Sequence, residues 1–215
     1  MGLAVFRVEG TLVAARALGC AAWLASAHRD VLARPARVGL VGVASRIGAV
    51  VGAEGALGLA FRALTGCSED RLVVLAGLYA EEVLDRAWNH AGVSLVHRSR
   101  DAGDRIVLVS EHPDVVLDGV VARLRPDHVV ANRLELDGHG VTGRLVPPVV
   151  TGRLDAGGLR ALATRLGADP SRTRAYGSTA GDATMLAAAP FPCAVTPDRT
   201  LRDVARTLDW PVVER

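Results

Sequence analysis

The sequence predicts an α/β protein: a three-layer αβα, Rossmann-like core built on a parallel sheet, with a helical cap inserted after the first strand. Three observations predict it. Short apolar runs alternate with helical patterns through residues 103–215, which implies a parallel sheet covered on both faces. A single apolar strand precedes residue 14, and from there to about residue 102 the periodicity is helical. The carboxyl ends of three strand candidates, at 7–11, 110–112 and 177–182, carry polar residues, where sheets of this kind bind ligands. Residues 1–13 and 103–215 are therefore assigned to the core and 14–102 to the cap.

The elements follow in order. Residues 3–8 form a short buried strand that runs into a turn carrying Thr11. Arg34-Pro35 predicts the end of a first cap helix, because the residue before proline disfavours the helical region. Residues 38–61 are long and apolar enough to raise the question of a membrane helix. Arg46 and Glu54 lie inside the stretch, and each would cost roughly 2.5–3.5 kcal/mol at a bilayer centre. Its glycines each weaken a helix by about 1 kcal/mol relative to alanine. Buried cap helices are expected there, with peripheral membrane contact through 38–61 as the alternative. Ser68 can cap the next helix, and Glu69 and Asp70 suit its positive end. Tyr79 and Trp88 are expected in the core, and residues 97–105 as a solvated hinge.

Beyond the hinge, residues 104–110 are a continuous apolar run ending in Ser110, as in a central parallel strand. A helix follows, with Pro113 near its first turn. Residues 127–131 are a strand, and 132–146 alternate around Asp137-Gly138 as a hairpin. Helices are expected over 155–167, 180–188 and 201–208, separated by strands at 173–178 and 193–195 and followed by one at 210–214.

Composition narrows the function classes. Half of the 215 residues are hydrophobic but only 4% are aromatic, so the core must be aliphatic. A net charge of +2 gives no electrostatic ground for a nucleic-acid partner. All 25 basic residues are arginine, so no step can use a lysine. Cys20, Cys67 and Cys193 are odd in number and have no zinc spacing, which predicts reduced structural thiols. With no signal-peptide pattern at the start, a cytoplasmic location is expected. No histidine spacing argues for a metal.

Taken together, "VFRVEGTL", "IVLVSEHPD", "RLELDGHGVTGRL" and "YGSTAGDATML" resemble, in order and spacing, the haloacid dehalogenase superfamily. The likeness is to its phosphoserine-phosphatase-like branch, which carries a helical cap after the first strand, and it covers nearly the whole chain. The resemblance implies an Asp-x-Asp-Gly-Thr loop whose first aspartate attacks phosphorus and binds magnesium, and whose second is the general acid. Here those positions hold Arg7 and Glu9. It implies a lysine beside the nucleophile, for which only Arg153 or Arg160 is near, and a metal-binding aspartate where Ser178 stands. Gly10, Thr11, Ser110 and Asp182 are retained.

Arginine stays protonated and cannot attack phosphorus. The family magnesium site is predicted lost and no other cofactor is expected. Arg7 needs a partner, and Asp182 is expected to supply it, with Glu9 second. Arg7, Glu9 and Asp182 thus mark a degenerate catalytic site. Arg7, Thr11, Ser110, Ser178 and Thr179, with a helix N-terminus after Ser110, could instead hold a small anionic or phosphorylated molecule. Glu9 is expected as a solvated loop acid and His112 as a surface or capping residue. The leading expectation is a catalytically degenerate homologue acting in binding, regulation or scaffolding. The alternatives are metal-free acid–base chemistry in the same cleft, or a phosphatase with atypical residues. A homodimer is left open.

Overall fold

A computed structural model describes residues 1–27 and 34–214. Its strands are β1 (Leu3–Arg7), β2 (Arg105–Pro113), β3 (His128–Asn132), β4 (Leu134–Asp137), β5 (Gly140–Leu145), β6 (Thr173–Gly177), β7 (Phe191–Val195) and β8 (Val212–Val213). Six of them form one sheet in the order β3-β2-β1-β6-β7-β8, parallel throughout, while β4 and β5 form a separate antiparallel hairpin. From β1 the chain builds outward to β2 and β3, then crosses back to β6 on the other side. The order therefore reverses at β1, and a crevice opens beyond its carboxyl end.

β1 is buried along its whole length, and successive side chains point to opposite faces. Ala4 and Phe6 join one apolar cluster with Ile106 and Leu108; Leu3 and Val5 join the other with Val107 and Val109. The second cluster is closed by α6 (Ala156–Arg165), α7 (Ala183–Ala188) and α8 (Arg199–Thr207). The first continues without a break into the cap helices α1 (Ala17–Ala27), α2 (Arg34–Phe61) and α3 (Glu69–Tyr79), so cap and sheet share one core.

Several sequence expectations need correction. α4 (His90–Asp101), in the range assigned to the cap, packs on β1 and β2 of the sheet. The Ser99 hydroxyl lies 3.3 Å from Tyr176 Oη on β6, and a Cβ on Gly92 would fall 1.9 Å from the Thr11 carbonyl. The β4–β5 hairpin, in the range assigned to the core, bonds the turn before α3: Val141 N–H donates to Cys67 O, and Gly66 N–H donates to Val141 O, both at 2.8 Å. Pro35 does not end a helix; it sits in the first turn of α2, where its missing N–H is harmless. Residues 28–33 lie outside the described part.

Nor is the 38–61 stretch buried throughout. α2 breaks at Gly52, whose φ of 74° only glycine adopts easily, and Val50 beside the break is 86% exposed. No single helix among the described residues is long and apolar enough to cross a membrane. Ser68 caps α3 as expected, its Oγ accepting from Arg71 N–H. Pro113 closes β2 rather than opening a helix; a short 3₁₀ turn, Asp114–Val116, precedes α5 (Asp118–Leu124).

Candidate active site

The crevice is built by the turn after β1. Val8 N–H donates to Val109 O, Gly10 N–H to Val13 O, and Leu12 and Val13 N–H both to Val8 O, which coils residues 8–13 tightly. Gly10 has φ 77°, and a Cβ there would lie 2.0 Å from Ser178 Oγ, so only glycine lets this turn touch the end of β6. Asn89, the cap of α4, holds the turn from above through Nδ2–H to Gly10 O at 3.2 Å.

Arg7 leaves the end of β1 and is 3% exposed. Its Nε–H donates to Asp182 Oδ1 at 2.8 Å, the pairing expected from the sequence. Its Nη2 lies 3.0 Å from Glu9 Oε2 and 3.2 Å from Glu111 Oε1. One guanidinium thus sits among three carboxylates. Gly152, at φ 73°, lies against its face: a Cβ would approach Arg7 Cζ to 2.7 Å. Asp182 is held in turn by Ser178 N–H at 2.8 Å, Thr179 N–H at 2.9 Å and the Thr179 hydroxyl at 3.1 Å, all on Oδ2.

Glu9 is not the solvated acid expected; it is buried. Its Oε1 accepts from Ser110 Oγ–H at 2.6 Å, Glu111 N–H at 2.7 Å, His112 N–H at 3.1 Å and His112 Nδ1 at 2.7 Å. Burial by itself raises the pKa of this carboxyl, but the Arg7 charge and the His112 and Ser110 hydrogen bonds outweigh it and hold the group well below the usual carboxylate range. Ionised Glu9 can only accept, which places a proton on His112 Nδ1.

His112 is likewise no surface residue: it is fully buried, and its Nε2 meets Tyr79 Oη at 3.2 Å. Tyr79 also hydrogen-bonds the Cys20 thiol. Burial, the Cys20 contact and the distant Glu9 charge push the Tyr79 hydroxyl far up, so it stays neutral. A polar chain therefore runs Asp182–Arg7–Glu9–His112–Tyr79–Cys20, from the sheet into helices α3 and α1 of the cap.

The donors of the anion pocket expected from the sequence meet neighbouring groups of the chain. Arg7 is surrounded by acids, Ser110 donates to Glu9, the Ser178 hydroxyl donates to Glu9 O, and that of Thr179 donates to Asp182. Thr11 is fully buried and its Oγ1 has no partner among the described residues. No helix begins at Ser110; the N–H groups of residues 111 and 112 that would face an anion are given to Glu9. Arg153 and Arg160 are exposed and do not enter the cluster.

Sequence reasoning missed Glu111, although it stands between Ser110 and His112. Its side chain is 26% exposed, the most accessible acid of the cluster. Burial, with Glu9 and Asp182 adding to it and Arg7 opposing, raises its pKa, so Glu111 is the carboxyl on which a proton is most easily kept. Tyr79, Cys20 and Gly152 carry no sequence signal for this site, since all three meet it through the fold. Among the described residues no group of three or more His, Cys, Asp and Glu side chains is arranged to hold a metal ion.

A parallel sheet with an acidic crevice at its switch point, roofed by helices, is the scaffold of a capped α/β hydrolase. Residues 4–187 match the haloacid dehalogenase-like hydrolase family, and the chain belongs to it. Phosphoserine phosphatase SerB1 of Mycobacterium tuberculosis is 29% identical over 97% of this chain and 69% of its own length. The inhibition of morphological differentiation protein of Streptomyces azureus is 32% identical over 62% of the chain, and the match spans about half, 48%, of that protein. A Bordetella pertussis protein of unknown function shares the fold, with a TM-score of 0.82 and 21% identity over 98% of this chain and 97% of its own.

Proposed function

We propose that this chain no longer carries out the phosphoryl transfer of its relatives and works instead as a non-hydrolytic member of the family, a binding, regulatory or scaffold protein. The observation that carries the reading is the Arg7 guanidinium, buried at the position of the attacking carboxylate and paired to Asp182, Glu9 and Glu111. It has no lone pair to offer phosphorus, and removal of a catalytic nucleophile typically lowers turnover by about 10⁶-fold. Its charge occupies the ground between the acids that a divalent cation would need. Two charges on an ion about 4 Å away would be repelled by roughly 8 kcal/mol at an effective dielectric of 20. The residues present do not fit magnesium.

The polar chain through His112 and Tyr79 supports the same reading. Both residues are buried where the cap meets the sheet, and opening the crevice there would strand each without its partner. The arrangement favours a cap that stays closed.

The experiment is a phosphatase assay of the purified chain with magnesium, using p-nitrophenyl phosphate and phosphoserine. No turnover above blank is expected. Turnover that disappears in Arg7→Ala would overturn the proposal, and would return the chain to the hydrolases of its family. Arg7→Asp combined with Ser178→Asp restores two family carboxylates; activity regained there and absent in the parent would trace the loss to these positions.

A further inference from the structure

We infer that the open edge of the central sheet at β3 is a docking groove for an extended peptide segment bearing acidic side chains, separate from the Arg7 crevice. β3 ends the sheet on this side and pairs only with β2. Arg105 N–H donates to Gly2 O and Val109 O accepts from Val8 N–H, so Ile106 and Leu108 face β3; in the register that pairs Val107 with His128 and Val109 with Val130, the N–H and C=O groups of His128 and Val130 face β2 while those of Val129 and Ala131 face away. Among the described residues no hydrogen bond outside the ladder reaches the outward groups of Val129 and Ala131. An edge of this kind templates another strand.

The chain's own return segment runs beside β3 and does not close it. It is tied at both ends: Val146 N–H donates to Arg133 O at 2.9 Å, and the Asn132 amide clasps Val150 through Nδ2–H to its carbonyl at 2.9 Å and Val150 N–H to Oδ1 at 2.8 Å. Between those ties stand Pro147 and Pro148, which have no N–H to offer the strand. A groove of about 780 Å³ remains between β3, this segment and α6, lined largely by aliphatic and proline side chains.

Its rim chooses the partner. Arg133 and Arg165 line it, opposed by the single acid Asp114. Arg165 donates to His128 Nε2; burial, then the Arg165 charge, lowers the pKa of that imidazole, so His128 stays neutral and leaves the arginines as the charged groups. Outward backbone groups select an extended strand, and the arginines select carboxylates on it.

Fluorescence anisotropy tests this with a fluorescein-labelled peptide of alternating valine and glutamate, titrated into the full chain. Saturable binding is expected, weakened at least tenfold by Arg133→Glu with Arg165→Glu, by raised salt, and by N-methylation of alternate peptide amides. Val129→Pro removes one outward N–H while leaving the β2 ladder intact, and it is expected to abolish binding while circular dichroism stays unchanged. Should that variant lose its fold, the N-methylated peptide supplies the same information on the wild-type chain. Equal affinity for a valine–arginine peptide, binding indifferent to N-methylation, or no binding at millimolar peptide would overturn the inference. A dimer in sedimentation that Val129→Pro dissociates would replace it with pairing of two copies.

Discussion

Gly152 lies flat against the Arg7 guanidinium, so close that a Cβ would stand 2.7 Å from Cζ and 2.9 Å from Nη2. The contact joins the segment before α6 to the end of β1, and it makes the position of Arg7 depend on a residue with no side chain. Gly152→Ala brings two penalties at once, a left-handed backbone (φ 73°) and a displaced, buried charge. We expect a loss of about 2 kcal/mol or more in urea unfolding. An unchanged midpoint would show that the guanidinium does not rest there.

Removing the guanidinium leaves Glu9, Asp182 and Glu111 without their counter-charge. Arg7→Met is expected to destabilise by about 3–5 kcal/mol at neutral pH, as when one partner of a buried ion pair is lost. Adding Glu9→Gln and Asp182→Asn should recover part of this. If the triple variant is no more stable than the single one, the acids are not held by Arg7.

The two glutamates give opposite pH slopes. The carboxyl of Glu9 is held below its ordinary value of 4.5, so the folded chain takes up its proton later than the unfolded chain does. Its contribution is present above that value and lost as pH falls through it and below. Stability should therefore decline on acidification below about pH 5, and Glu9→Gln should flatten that decline.

Glu111 is raised, so the folded chain binds its proton more tightly than the unfolded chain. Stability from this group falls as pH climbs from 4.5 through the higher folded value. Glu111→Gln never ionises, and it should gain on the wild type by about 0.5–1 kcal/mol toward neutrality, measured by urea unfolding across the range. A variant less stable than wild type at pH 7 would mean that the Arg7 contact outweighs burial and repulsion.

Tyr79→Phe cuts the polar chain where it enters the cap. A loss of about 1 kcal/mol is expected, concentrated in motion of the cap rather than in global unfolding. Cys20 reports it directly: burial raises its thiol far above the ordinary range, so it should resist thiol reagents in the folded chain. Labelling of Cys20 should accelerate about fivefold in Tyr79→Phe, and an unchanged rate would show that the hydrogen bond does not hold the cap.

The sequence by itself determined the parallel sheet, the inserted helices, the hairpin and the pairing of Arg7 with Asp182. Each of those rests on local pattern or on a charge that had to find an opposite. What it could not determine was the depth of Glu9 and His112. A glutamate in a loop and a histidine after a strand look like solvated residues until the turn at Gly10 and the end of β2 fold together and exclude water. The tertiary structure also decided which of the inserted segments meet the sheet and which meet the cap helices. α4 turns its small residues, Gly92 and Ser99, to the sheet, and the hairpin gives its glycine edge to Cys67. Those choices are made by contacts between segments far apart in the chain, which no local periodicity encodes. The same holds for the proposed site at β3: the runs of valine and proline can be read from the sequence, but only the sheet order leaves them at an edge with their backbone unpaired.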